Sequence, residues 1–206
     1  MRRIEAILFE PVGCLAEFPS ELFQEIACRV YGAPRRKPSR SGSRAYWHLL
    51  NLMEAGEGES IEAMEMEASA SASVYEDVIP ALAELKAMGA RLHLTSSLTH
   101  AAVKQFVERH RLRGFFDSIW SRDNACGVKT TPLRRAVTVA AETIFLTDTL
   151  EGLKVARSVG VNPILMMNDP DEARRLAMHE PAGGIVSLHE LPDFLRLLLS
   201  RHARLA

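Results

Sequence analysis

Hydrophobic and polar positions along this chain fall into two regimes. From Val78 onward, short apolar runs alternate with stretches whose apolar residues recur at helical spacing, the signature of strand–helix units in a parallel sheet. The spacing predicts a helix over residues 80–88, a strand over 91–95, and a helix over 99–110 that buries Ala102, Val103, Phe106 and Val107. An apolar run follows at 115–120, then a helix at 133–141, a strand at 144–147, a helix at 150–159 closed by Gly160, and a strand at 161–166. A short strand at 184–186 and a helix at 188–199 complete the series. At the other end, residues 4–9 are apolar apart from Glu5, enough for a strand buried on both faces. The expected fold is α/β, a doubly wound three-layer sandwich around a parallel sheet.

Between residues 16 and 75 the pattern changes to three helix-like segments, 19–31, 45–54 and 61–73, with no strand among them. We read this as a helical cap domain, 16–75, inserted into a core domain formed by 1–15 and 76–206. Residues 32–43 are rich in Pro, Ser and Gly and carry Arg35, Arg36, Lys37 and Arg40 without interleaved aromatics, which fits a solvated loop better than a nucleic-acid surface. The formal charge of -1 over 206 residues gives no global attraction to nucleic acid or to anionic lipid. No segment approaches the ~18 apolar residues of a membrane span, so neither nucleic acid nor membrane is expected as a partner. Cys14, Cys28 and Cys126 are odd in number and contain no CxxC pair, which points to a reducing, cytoplasmic setting rather than a disulfide or zinc framework.

Candidate chemistry begins where the first strand ends. Glu10, Pro11 and Gly13 break the apolar run and put a carboxylate at a strand's C-terminal end, where open α/β sheets place ligands. The stretch Ile7-Leu8-Phe9-Glu10-Pro11-Val12-Gly13-Cys14-Leu15 resembles the first motif of the haloacid dehalogenase superfamily, an apolar strand ending in Asp-x-Asp-Gly-Thr-Leu. Further along, residues 74–85 resemble the segment by which phosphoglycolate phosphatase-like members leave their cap and re-enter the core. Arg91-Leu92-His93-Leu94-Thr95-Ser96-Ser97 resembles the second motif, Gly127-Val128-Lys129-Thr130-Thr131-Pro132 the third, and Ile144-Phe145-Leu146-Thr147-Asp148-Thr149-Leu150-Glu151-Gly152 the fourth, a strand followed by Gly-Asp-x-x-x-Asp. The likeness spans nearly the whole chain.

The resemblance implies a catalytic set of Glu10, Lys129 and Asp148. Thr95, Ser96, Lys129 and the Val12 backbone would contact a ligand, and Glu10 with Asp148 would hold Mg²⁺. Several positions depart from the pattern. Glu10 stands for the nucleophilic Asp, Val12 for the acid/base Asp, Cys14 for Thr, Thr147 for a common Gly, and Gly152 for the second metal-binding acid. Val12 has no proton to give, and the extra methylene of Glu10 shifts the attacking oxygen by about one bond, where ~1 Å can cost ~100-fold in rate. With two carboxylates facing one lysine, Mg²⁺ is no longer demanded by charge, and any site left for it would be poor.

The expectation is therefore a phosphatase-like hydrolase-family protein with weak or absent Mg²⁺-dependent activity, a pseudoenzyme with a ligand-binding or interaction role. A small phosphorylated or carboxylated molecule is the implied ligand. The alternative is a working hydrolase of a phosphate ester, halide or ester that acts through Glu10 with Asp148 and Lys129. Asp148 also suits a purely structural role as the N-cap of the next helix. Cys14 reads as a small buried residue rather than a nucleophile. If the scaffold is otherwise intact, Glu10→Asp with Val12→Asp and Gly152→Asp should create or raise phosphatase activity.

Overall fold

The computed structural model describes residues 4, 6–34, 42–55 and 61–203. Strand β1 (Ala6–Phe9) runs into a turn, α1 (Pro11–Cys14), and then into a two-residue strand, β2 (Ala16–Glu17). Three helices follow, α2 (Ser20–Tyr31), α3 (Gly42–Ala55) and α4 (Glu62–Ala70), before β3 (Ser73–Val74) pairs antiparallel with β2. This strand pair closes off the helical insertion. The chain continues through α5 (Val78–Ala87), β4 (Arg91–Thr95), α6 (His100–Arg109), β5 (Ser118–Trp120), α7 (Arg122–Ala125) and α8 (Thr130–Ala136). It ends with β6 (Thr143–Thr147), α9 (Leu150–Val159), β7 (Asn162–Met166), α10 (Pro170–Ala177), β8 (Gly183–Ile185) and α11 (Glu190–Ala203).

Six strands form one parallel sheet in the order β5-β4-β1-β6-β7-β8, flanked by helices, as the hydrophobic pattern implies. β1 is the inner strand, and all four of its residues are fully buried. The chain builds outward on one side through β4 and β5, then returns to lay β6, β7 and β8 on the other. That reversal opens a crevice at the C-terminal ends of the strands beside β1, the usual ligand position of such sheets. Register fixes what meets there. Phe9 lies opposite Leu94 and Leu146, so Glu10, Thr95 with Ser96, and Thr147 with Asp148 emerge together at one edge.

The insertion packs onto the same hydrophobic cluster as the core. Phe18 stacks on Phe23 of α2 (centroids 6.0 Å apart) and on Phe106 of α6 (5.4 Å), and Phe23 in turn meets Tyr46 of α3 at 5.1 Å. A buried ion pair adds a polar bond across the same boundary. The Arg122 guanidinium donates to both carboxylate oxygens of Glu65 on α4, at 2.9 and 3.0 Å, and to the Ser97 carbonyl at 3.0 Å. Glu65 is fully buried and also accepts the Thr99 amide at the start of α6. Among the described residues no helix is long and apolar enough to cross a membrane.

Some elements differ from the sequence pattern. α8 stops at Ala136 instead of 141, because Val137 adopts an extended backbone (φ -84°, ψ 123°) and opens a β-branched run, Val137-Thr138-Val139, that disfavours helix. α10 was not expected from apolar spacing. Its signal is capping: Asp169 accepts the Asp171 and Glu172 amides, Pro170 occupies the first turn, and Arg174 and Arg175 lie in the last. The basic residues Arg35, Arg36, Lys37 and Arg40 lie outside the described residues.

Removing one partner of a buried pair leaves the other charge stranded. Glu65→Ala is therefore expected to lower the unfolding free energy by about 3–5 kcal/mol in urea denaturation. Arg196→Ala, which breaks only solvent-exposed pairs with Glu84 and Asp193, should leave stability essentially unchanged.

Candidate active site

Glu10 leaves β1 with extended backbone, and the turn behind it is set by Pro11 and by Gly13 at φ 82°. Gly13 is required twice over. Its backbone is left-handed, and a Cβ there would sit 2.0 Å from Ser43 Oγ and 2.3 Å from Asp148 Oδ2. The glycine thus lets the cap, the first turn and the end of β6 converge.

Glu10 and Asp148 are both buried, with relative exposures of 6% and 8%. Glu10 Oε1 accepts the Ser96 hydroxyl at 3.0 Å, and the Val12 amide and Tyr46 hydroxyl also hydrogen-bond its carboxyl group. Burial pushes Glu10 well above the usual carboxylate range, the Asp148 charge adds to this, and those hydrogen bonds pull only partly back. Asp148 Oδ2 accepts the Ser43 hydroxyl at 2.6 Å and the Asn168 side-chain amide at 3.2 Å. Burial raises Asp148 to about 6, with Ser43 and Asn168 opposing the rise. Asn168 also donates to the Gly13 carbonyl at 2.7 Å, tying the first turn to the end of β7.

The remaining sequence-nominated residues divide. Thr95 and Ser96 are buried at the end of β4, and Val12 is buried in the turn. The Lys129 backbone reaches the site, where its amide donates to Ser97 Oγ at 2.7 Å, but its side chain turns toward the cap. The ammonium donates to Asn51 Oδ1 at 2.6 Å and to Glu54 Oε2 at 2.5 Å, both on α3. The expected arrangement of two carboxylates facing one lysine is replaced by a lysine paired with Glu54. The cap of α9 is Thr149, which accepts the Gly152 amide, so Asp148 does not serve as the N-cap. Cys14 is fully buried, and burial with the Asp148 and Glu10 charges holds its thiol well above its usual range, consistent with packing.

Sequence reasoning missed Ser43, Tyr46, Asn51, Glu54 and Asn168. Asn168 had a weak signal as a polar residue just past an apolar strand at the same sheet edge. The other four sit on α3, and nothing in the local sequence marks a helix some hundred residues away as Asp148's neighbour.

The model of the haloacid dehalogenase-like hydrolases matches residues 50–166, more than half of the chain. The chain belongs to the haloacid dehalogenase-like hydrolase family. The match starts within α3 and does not include β1 and the Glu10 turn. Among solved structures, a haloacid dehalogenase-like hydrolase from Streptococcus pneumoniae aligns with a TM-score of 0.66 at 18% identity, covering 94% of this chain and 99% of that one. The L-2-haloacid dehalogenase of Xanthobacter autotrophicus, with chloropropionic acid covalently bound, gives 0.62 at 17% identity, covering 94% and 98%. A Bacillus subtilis haloacid dehalogenase-type hydrolase bound to magnesium gives 0.62 at 14%, covering 94% and 99%. At these identities the likeness is one of fold. No curated protein sequence matches the chain. The haloacid dehalogenase-like family typically uses Mg²⁺.

Thr147 and Gly152 pack closely against each other. A Cβ built on Gly152 would lie 1.8 Å from Thr147 Oγ1 and 2.7 Å from Thr147 Cβ. The Thr147 side chain therefore fills the space that any side chain at 152 would enter. In an ordinary helix Gly→Ala stabilises by about 1 kcal/mol. Here Gly152→Ala should instead destabilise by about 1–3 kcal/mol, and the sign should revert in a Thr147→Gly background, as a double-mutant cycle of unfolding free energies would show.

Proposed function

We propose that this chain is a capped, phosphatase-like member of the haloacid dehalogenase-like family that has given up metal-dependent phosphoryl transfer and keeps the fold for a binding or interaction role. The observation that carries this reading is that the groups a phosphoryl ligand or Mg²⁺ would use are already engaged by the protein. Glu10 receives Ser96, Asp148 receives Ser43 and Asn168, and Lys129 is held by Asn51 and Glu54.

The donor set also fits Mg²⁺ badly. The ion needs near-octahedral oxygen ligands, usually with one or two carboxylates and several waters. Here position 152 offers no carboxylate, its space is taken by Thr147, and no group of three or more metal-binding side chains occurs among the described residues. Nor does Glu10 suit attack on phosphorus, because burial holds its carboxyl well above the usual range and its Oε1 already accepts the Ser96 hydroxyl. That argues against the alternative of a hydrolase working through Glu10.

Within this reading residues 16–75 form the cap and 1–15 with 76–206 the core, joined at the β2–β3 pair. The three free cysteines, Cys14, Cys28 and Cys126, support a reducing compartment such as the cytoplasm. The implied ligand remains a small phosphorylated or carboxylated molecule, with no nucleic-acid or membrane partner.

Turnover of aryl phosphates and small phosphate esters, with and without Mg²⁺, is expected to be no higher for the native chain than for Glu10→Ala. Metal-dependent turnover abolished by Glu10→Ala would overturn the proposal. Placing Asp at positions 10, 12 and 152 brings the residue-152 side chain into collision with Thr147, so a gain is expected only when Thr147→Gly is added.

A further inference from the structure

A separate cavity lies two strands from β1, on the flank of β5, the outermost strand on that side of the sheet. It measures about 340 Å³ and is lined by His100, Lys104, Val107 and Glu108 of α6, by Arg113 in the turn that follows, and by Ile119 of β5. The α6 residues share one face, as positions three and four apart on a helix do. None of the six belongs to the Glu10–Asp148 crevice.

Val107 is almost fully buried and Ile119 packs on the core cluster, so the cavity is apolar at these two positions. Charged groups stand around them. Arg113 Nη1 donates to the Phe116 carbonyl at 3.0 Å, which fixes the guanidinium while engaging only part of its donor fork. Lys104 Nζ is 3.9 Å from Glu108 Oε1, and with both side chains largely exposed this pair is too loose to neutralise the lysine. Backbone recognition is closed off on both sides. Asn124 Nδ2 donates to the Ile119 carbonyl at 3.0 Å and so caps the outer edge of β5 against an added strand. At the start of α6 the His100 amide donates to Asp123 Oδ2 at 2.6 Å and the Ala102 amide to the Thr99 hydroxyl at 3.4 Å. Recognition therefore falls to the side chains.

We propose that this cavity binds a small organic carboxylate with an apolar body: the carboxylate meets the Arg113 guanidinium and the Lys104 ammonium, and the body covers Val107 and Ile119. Two cations against one anion favour a negatively charged guest, and a planar guanidinium receives a carboxylate through paired hydrogen bonds. The volume lies at the small end of ligand cavities, which run from about 300 to 1,000 Å³, and so selects a compact guest. The site is independent of phosphoryl chemistry, and the phosphatase assays neither support nor weaken it.

The test is a ¹H–¹⁵N correlation NMR titration of the full chain with phenylacetate. Saturable shifts are expected at the Val107, Arg113 and Ile119 amides, with those of Glu10 and Asp148 unmoved. Arg113→Ala should weaken binding by about tenfold, as should exchanging the probe for the uncharged 2-phenylethanol. If Arg113→Ala does not fold, Lys104→Ala takes its place, with an expected loss of about threefold. Glu108→Gln, which removes the one anion, should instead tighten binding by about two- to threefold. Absence of saturable shifts at these amides, shifts confined to the Glu10–Asp148 crevice, unchanged affinity in the folded cation variants, or equal affinity for phenylacetate and 2-phenylethanol would overturn the proposal.

Discussion

The structure turns on two carboxyl groups buried side by side at the C-terminal edge of a parallel sheet. Topology forces them there: β1 lies between β4 and β6, so the residues just past β1 and β6 share one crevice. Two such groups taken out of water cannot both carry charge cheaply unless a cation or a set of donors compensates. In this chain the compensation is internal. Hydroxyls from Ser96 and Ser43, the Asn168 amide and the Val12 backbone meet the carboxyl oxygens, and burial raises both groups toward the neutral form.

The departures from the family pattern read together as one change of charge and volume. Val12 and Gly152 carry no charge, so under the proposed function the crevice holds less negative charge for a dication to offset. Thr147 occupies the volume opened at Gly152, and Glu54 pairs with the Lys129 ammonium. The cap completes the exchange. Its aromatic chain from Phe18 through Phe23 to Tyr46, with the Glu65–Arg122 pair, holds α3 where Ser43 reaches Asp148 and Asn51 and Glu54 reach Lys129.

Much of this was legible in the sequence, and the remainder was hidden for physical reasons. Buried parallel strands announce themselves as apolar runs, so β1, β4, β6 and β7 were found, and the breaks after them led directly to Glu10, Thr95 and Asp148. β2 and β3 are two residues each and carry no periodicity to detect. α8 was misplaced because its apolar spacing extends into Val137, where β-branching ends the helix. The direction of the Lys129 side chain depends on Asn51 and Glu54, whose proximity is created only when the insertion folds onto the core. The same holds for Ser43 at Asp148. Side chains set by local spacing are readable one segment at a time, whereas those set by long-range closure are not.

At Asp148, burial outweighs the hydrogen bonds from Ser43 and Asn168. A carboxyl that moves from 3.8 to about 6 on folding favours the fold when protonated. Its contribution, at most about 3 kcal/mol, is complete below about pH 4 and lost as pH rises through about 6. Glu17, Glu10 and the Cys14 thiol are its acidic neighbours, and Arg44 lines the same pocket. The decisive measurement is the unfolding free energy of the native chain relative to Asp148→Asn across this pH range, with and without Mg²⁺. The native chain is expected to lose ground to the variant as pH rises, to the same extent with Mg²⁺ present. A native chain that gains on the variant with rising pH, or that Mg²⁺ selectively stabilises near neutrality, would contradict this expectation.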